Sequence, residues 1–377
     1  MNIGKIICIL LILFTAFVLA GCPPPPQPPP PPPPPPPPEP SPPWIGTSCY
    51  QAVVFPLADV EWFIKNIAEN GGNATEFFLT FVWPINKETH QSYPHSGWKF
   101  TPYKIVKYEP DHKYGDYPFP VFDISKQGFR EEIWAKWKRI FEICEENGVV
   151  PFIRIQDYVS VKHPFYKRHY PFQRNIQKGV EYTGGMWGEK IRKFYTLLNE
   201  KLMQTLNQAD CNQFFIVPMN EADVLDSGWS DEEKDRRCID FHQWYIQDLQ
   251  KYGCKKEQIL MNTSRAFGEL KKLGQVMEIH GVNSDVTLRE RIEVFGTEKV
   301  FYNGDGPDKN AKGRASFNGN REPSVKQGEE INKIVNDNDL FGYCYFNRAI
   351  EPKIDNVNIR YAKYDVLEEL TKEIEKR

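Results

Sequence analysis

From Trp44 onward, a short run of β-branched and aromatic residues is followed eight times by a longer amphipathic stretch, and this alternation leaves few folds open. The strand-like runs are 46–54, 76–83, 149–155, 213–219, 258–262, 276–281, 299–303 and 340–346. Helical patterns fall at 59–70, 128–147, 188–207, 231–252, 265–273, 286–295, 324–336 and 359–376. In the second of these, Ile133, Trp137, Ile140, Phe141 and Cys144 recur at helical spacing and form one apolar stripe. The fourth opens on Asp231-Glu232-Glu233, acids in a first turn where the helix dipole favours them. Strands alternating with helices make a parallel sheet covered by helices. The count of eight predicts closure into a (β/α)8 TIM barrel of the α/β class.

The connections are unequal. Helix-to-strand joints are short, as at Asn147-Gly148, 253–257, 273–275 and 296–298, whereas the strand-to-helix segments 84–127, 156–187 and 304–323 are long. In a barrel all strand-to-helix loops emerge on the C-terminal face, where active sites are built. The irregular material of the chain is therefore expected on one face, as it would be for a site rather than a bare scaffold. On the opposite face, Cys211 and Cys254 each precede one of two neighbouring strands, the fourth and the fifth. That adjacency predicts a Cys211–Cys254 disulfide stapling the bottom of the barrel. Cys49 and Cys344 fall within strands, where reduced core cysteines are the rule. No CxxC or Cys/His cluster occurs, and no Gly-rich phosphate loop, HExxH or GxSxG, so neither a metal nor a cofactor is expected.

Residues 1–43 are of another kind. Lys5 precedes an apolar run from Ile6 to Val18, which is short for a bilayer span and of the right size for a signal peptide. Of the 32 prolines, 18 lie between Pro23 and Pro43, and 11 of those are consecutive. Such a tract favours polyproline II at about 3.1 Å per residue, a spacer able to hold the rest of the chain roughly 65 Å away. The expected organisation is a signal peptide at 1–21, Cys22 with a proline-rich disordered linker at 22–43, and a barrel at 44–377. A formal net charge of −3 gives no basic field for phosphates, so nucleic acid is not an expected partner. The mean hydropathy of −0.55 excludes a polytopic membrane protein.

Two motifs carry family resemblances. Leu19-Ala20-Gly21-Cys22 resembles the lipobox of bacterial lipoproteins at all four positions. The resemblance implies that Cys22 is lipidated, becomes the first mature residue and anchors an exported domain to the cell membrane or outer membrane. The fourth strand ends Val217-Pro218-Met219-Asn220-Glu221, which resembles the (β/α)8 retaining glycoside hydrolases, the clan of cellulases, mannanases and β-galactosidases. The resemblance implies that Glu221 is the general acid/base and that Asn220 binds the sugar 2-hydroxyl. The chemistry needs a carboxyl that starts protonated, delivers its proton to the leaving oxygen and then activates water. Partial burial at a strand end raises such a carboxyl toward the working range.

Other strand ends agree in part. His280, in the sixth strand, matches a histidine that many clan members hold near the catalytic carboxylates. The third strand ends Arg154-Ile155-Gln156-Asp157, where alternation puts Arg154 and Gln156 on one face and Asp157 stands at the rim; Arg154 and Asp157 are candidates to contact a sugar or to pair with a neighbour. Clan members place a nucleophilic Glu at the end of the seventh strand, but this chain reads Tyr302-Asn303-Gly304-Asp305-Gly306. Asp305 is the first candidate for that role and Glu278, two residues before His280, the second. Trp83, Trp187, Trp229 and Phe346 are candidates to stack on sugar rings. The expected function is a membrane-tethered glycoside hydrolase acting on a poly- or oligosaccharide. The alternatives are a noncatalytic glycan-binding lipoprotein that lacks the usual nucleophile, and a structural or adhesion lipoprotein.

Overall fold

The computed structural model describes residues 43–49, 52–79, 102, 104–110, 118–122, 128–155, 189–219, 230–263, 273, 276–280, 292–296, 300–305 and 341–346. Ten strands occur there: β1 (Trp44–Ser48), β2 (Ala74–Phe78), β3 (Ile105–Pro110), β4 (Pro118–Phe122), β5 (Val150–Arg154), β6 (Phe215–Val217), β7 (Met261–Thr263), β8 (Met277–His280), β9 (Val300–Asp305) and β10 (Gly342–Phe346). The long helices are α1 (Leu57–Glu69), α2 (Glu131–Glu146), α3 (Glu189–Gln208) and α4 (Asp231–Gln250). Of the expected helix at 286–295, the described residues 292–295 are helical. Those at 324–336 and 359–376 lie outside the described residues, as does 265–273 apart from Leu273.

Eight strands form one parallel sheet in the order β6-β5-β2-β1-β10-β9-β8-β7. The two ends of that order meet: Ile216 and Ile259 make a parallel bridge, and the Leu260 N–H donates to the Ile216 carbonyl at 2.9 Å. The sheet is thus closed, and the chain is a (β/α)8 barrel. The strand-to-helix segments 79–130, 155–188 and 218–230 far exceed the helix-to-strand segments 70–73, 147–149 and 209–214. Gly148 and Gly253 turn the chain after α2 and α4 with φ of 64° and 89°, a left-handed conformation that glycine adopts without a Cβ penalty.

Helix packing follows the sequence pattern. The stripe Ile133, Trp137, Ile140, Phe141 and Cys144 of α2 is buried. Trp137 meets Phe77 of β2 edge-to-face at 5.9 Å between ring centroids. On α4, Ser230 caps the first turn, its hydroxyl accepting from the Glu233 N–H at 3.3 Å. Asp248 of α4 is buried and accepts from Thr196 and Asn199 of α3 at 3.0 and 2.9 Å, which locks the two helices together.

Three local expectations are corrected. The first strand stops at Ser48, and residues 52–54 form a 3-10 turn in which Ala52 and Val53 are buried. Val53 and Phe55 are apolar because that turn seats them in the core, and Pro56 then leads into α1. The segment 105–122 carries an antiparallel hairpin, β3 with β4, where no strand was expected. Cys211 and Cys254 are free thiols, not a disulfide. Their loops do lie side by side, since Gln258 Nε2 donates to the Asn212 carbonyl at 3.3 Å. Each sulfur, however, turns to a carbonyl of its own loop, Gln213 and Lys255 respectively, both at 3.6 Å. Burial pushes the Cys254 thiol up to about 12 and the Cys211 thiol higher still. No helix among the described residues is long and apolar enough to cross a membrane.

Candidate active site

Parallel strands run from the bottom of the barrel to its C-terminal face, so positions two apart on one strand are successive levels of the interior. The lower levels are apolar: Trp44, Ala74, Val150, Phe152, Val217 and Leu260 form a buried cluster, with Phe215, Val276 and Phe341 packed against it. Two residues further along four of these strands the chemistry changes. Ala74 is followed by Glu76, Phe152 by Arg154, Leu260 by Asn262 and Val276 by Glu278. All four polar side chains are buried, none more than 1% exposed.

These four groups form one connected network. Nη2 of Arg154 donates to Oε1 of Glu278 and also pairs with Oε1 of Glu76. The Asn262 amide donates to the other Glu278 oxygen at 2.9 Å. The guanidinium lies over the Phe78 ring, 5.0 Å from its centroid. One nitrogen thus bridges two carboxylates from opposite sides of the lumen, β2 and β8. Ions this deeply buried repay their desolvation only through close pairing, here a hydrogen-bonded pair with Glu278 and an ion pair with Glu76.

Two sequence candidates therefore sit in this network. Arg154 and Glu278 lie inside the barrel bonded to each other, which for Arg154 is the second of its two expectations, pairing with a neighbour, and for Glu278 is a setting other than the expected one. Strand alternation assigns a residue its face but not its height, so both faces were legible and the depth was not. Glu76 and Asn262 escaped notice altogether, although a lone acid within the fully buried strand Ala74–Phe78 is a signal that a partner cation must exist.

The rim candidates are placed by backbone register. His280 ends β8 in register with Asn303, and Asp305 ends β9 in register with Phe346. Beyond β6 the described chain reaches Met219, which is buried, and the next two residues in sequence are Asn220 and Glu221. Asn220, Glu221, Asp157, Trp83, Trp187, Trp229 and Cys22 lie outside the described residues. Among the described residues, no group of three or more His, Cys, Asp or Glu side chains is placed to hold a metal ion.

No family model matches the chain, and no curated protein is similar to it in sequence. Solved structures are similar to it in fold. One is the full-length tri-modular endo-β-1,4-glucanase B from Bacillus halodurans, at 10% identity and a TM-score of 0.50, covering 86% of this chain and 59% of that one. Another is wild-type ZgEngAGH5_4, at 10% identity and a TM-score of 0.50, covering 87% and 95%. A third is the endo-1,4-β-mannanase from Rhizomucor miehei, at 11% identity and a TM-score of 0.48, covering 88% and 94%. The chain spans 52% to 59% of the length of the larger structures it matches. What it shares with the two structures at 0.50 is the (β/α)8 barrel.

Proposed function

We propose that this protein is a glycoside hydrolase that cleaves an extracellular β-linked poly- or oligosaccharide, with Glu221 as general acid/base and Asp305 as its partner carboxylate. The observation that carries this reading is positional. β6 is the fourth strand of a closed barrel, and Asn220-Glu221 follows it within a few residues, on the side where barrel enzymes build their sites. The interior also turns from apolar to charged in that direction. One of the structures similar in fold is an endo-β-1,4-glucanase, so a β-1,4-glucan is the first substrate to test.

In this reading Glu221 begins protonated. It gives its proton to the glycosidic oxygen as the Asp305 carboxylate adds to the anomeric carbon and the bond to the leaving sugar breaks. Water then returns a proton to Glu221 while its oxygen displaces Asp305, releasing a sugar of retained configuration. Carboxyl groups about 5–5.5 Å apart give this outcome, and a separation of about 6.5–9.5 Å would make the same pair inverting. Asn220 holds the 2-hydroxyl, His280 hydrogen-bonds beside the acids, Asp157 takes a sugar hydroxyl, and Trp83, Trp187, Trp229 and Phe346 offer stacking faces. Cys22 carries lipid, so the domain works at a membrane surface outside the cytoplasm.

The test is release of reducing sugar from a glycan panel. Glu221→Gln is expected to lower it by about 10²- to 10⁴-fold, and Asp305→Asn comparably. β9 ends in an aspartate where the clan holds a glutamate, which favours a second reading, a glycan-binding barrel without turnover. Glycan binding with no release by the wild-type chain would establish that reading instead. Incorporation of labelled palmitate, lost in Cys22→Ser, tests the anchor.

A further inference from the structure

The charged network inside the barrel has a geometry suited to one task. Glu76 and Arg154 belong to the second and third barrel strands, and Asn262 and Glu278 to the fifth and sixth. The Arg154–Glu278 contact crosses the lumen and ties one wall to the other, while Arg154–Glu76 and Asn262–Glu278 join neighbouring strands within each wall. The strands joined, or adjoining those joined, include β6, which Asn220-Glu221 follows in sequence, β8, which ends in His280, and β9, which ends in Asp305. An apolar layer would fill the same space at less cost in desolvation, as it does in the level below. Dispersion between apolar side chains sets no fixed separation between walls, whereas a nitrogen hydrogen-bonded to one carboxylate and ion-paired with a second does.

We propose that Arg154 is a positioning residue, a strut across the lumen that fixes the distance between the wall ending in Glu221 and the wall ending in Asp305. This rests on the hydrolase reading, because the distance matters only if two carboxylates must act on one anomeric carbon. Displacement of a reacting group by about 1 Å can cost roughly 100-fold in rate while leaving binding nearly intact. Glu76 and Glu278 are the abutments of the strut, and Asn262 fixes the rotation of the second.

The test replaces the whole network in the full chain, Glu76→Met, Arg154→Met and Glu278→Met together, so that no buried charge is left alone. The expected triple variant melts at or above the wild-type temperature, since apolar replacement of buried ion clusters is commonly neutral or stabilising. Its kcat is expected to fall about 100-fold with KM and glycan affinity within about threefold of wild type. Amide exchange in β5 and β8 is expected to quicken at least tenfold while that of α1 and α2 holds. Arg154→Lys, which keeps one cation between the two carboxylates, is expected to recover kcat to within about tenfold, and it provides the same readouts if the triple variant does not fold. A stable triple variant with unchanged kcat and unchanged exchange overturns the strut. Quickened exchange in the triple variant, together with a wild-type chain that binds glycan but releases no sugar, overturns the hydrolase reading and leaves the strut standing.

Discussion

Outside the barrel wall, the space between strands and helices is filled by side chains such as Phe77, Trp137, Phe141, Leu198, Phe241 and Tyr245, all fully buried. Inside the wall, a small apolar plug gives way within two residues to Glu76, Arg154, Asn262 and Glu278. Both spaces exclude water, and both are lined by the same eight strands. The outer one is sized by many interchangeable contacts, which tolerate small shifts of a helix. The inner one is sized by a few directional bonds with fixed lengths. The difference separates what makes the chain fold from what, in the proposed reading, sets the spacing of its upper face, and it runs along the barrel axis as well as across the wall.

Several changes break or sharpen this contrast. The largest effect is expected from Arg154→Met alone, which leaves two buried carboxylates facing each other without their shared cation. A loss of about 3–5 kcal/mol in urea unfolding is expected, against a gain or no change for the triple replacement. A loss under about 1 kcal/mol would mean that the inner layer is no stiffer than the outer one. Next comes Gly46→Ala in β1, where an added Cβ would sit 1.6 Å from the Ala74 carbonyl oxygen of the neighbouring strand. Overpacking the wall itself is expected to cost about 1–3 kcal/mol, seen as a lower urea midpoint with an unchanged slope.

Smaller effects are expected at the periphery. Alkylation mapped by mass spectrometry should leave Cys49, Cys144, Cys211 and Cys254 unmodified in the native protein and modify all four after unfolding without reductant. Burial holds each thiol above its ordinary range, and none is in a disulfide. The smallest effect belongs to Glu233, whose carboxyl is held at about 2 by hydrogen bonds from Arg236 and Arg237 on the exposed side of α4. A depressed acid stabilises the fold fully above its ordinary pKa near 4.5 and loses that contribution as pH falls toward 2. Glu233→Gln should therefore lower Tm by no more than about 2 °C at neutral pH, the gap closing below about pH 4.

The wall of the barrel was largely written in the residues. Runs such as Val149–Ile155 announced strands because their β-branched and aromatic side chains suit a sheet buried on both faces. The stripe of α2 announced its inward face by spacing alone. Features that depend on a turn or on a partner far along the chain were hidden. Val53 and Val54 resemble a strand until Pro56 redirects the chain, and the hairpin of β3 and β4 is masked by prolines at its edges. Adjacency of the Cys211 and Cys254 loops followed from strand order, but the direction of each sulfur did not. At the candidate site, Asn220-Glu221 drew attention in the sequence because it follows the run of the fourth strand, and it lies outside the described residues. The strut was not legible, because its members lie 78 and 124 residues apart in sequence and only barrel closure brings them together.

The most direct test of the proposed chemistry compares kcat/KM of the wild-type chain and Glu221→Gln on two substrates, a β-1,4-linked oligosaccharide and an aryl glycoside whose leaving group departs without protonation. This ratio reports only the steps up to the first bond cleavage, where Glu221 acts as an acid. The expected result is a loss of about 10²- to 10⁴-fold on the oligosaccharide and less than about tenfold on the aryl glycoside. Equal losses on both substrates, or none on either, would contradict Glu221 as the proton donor.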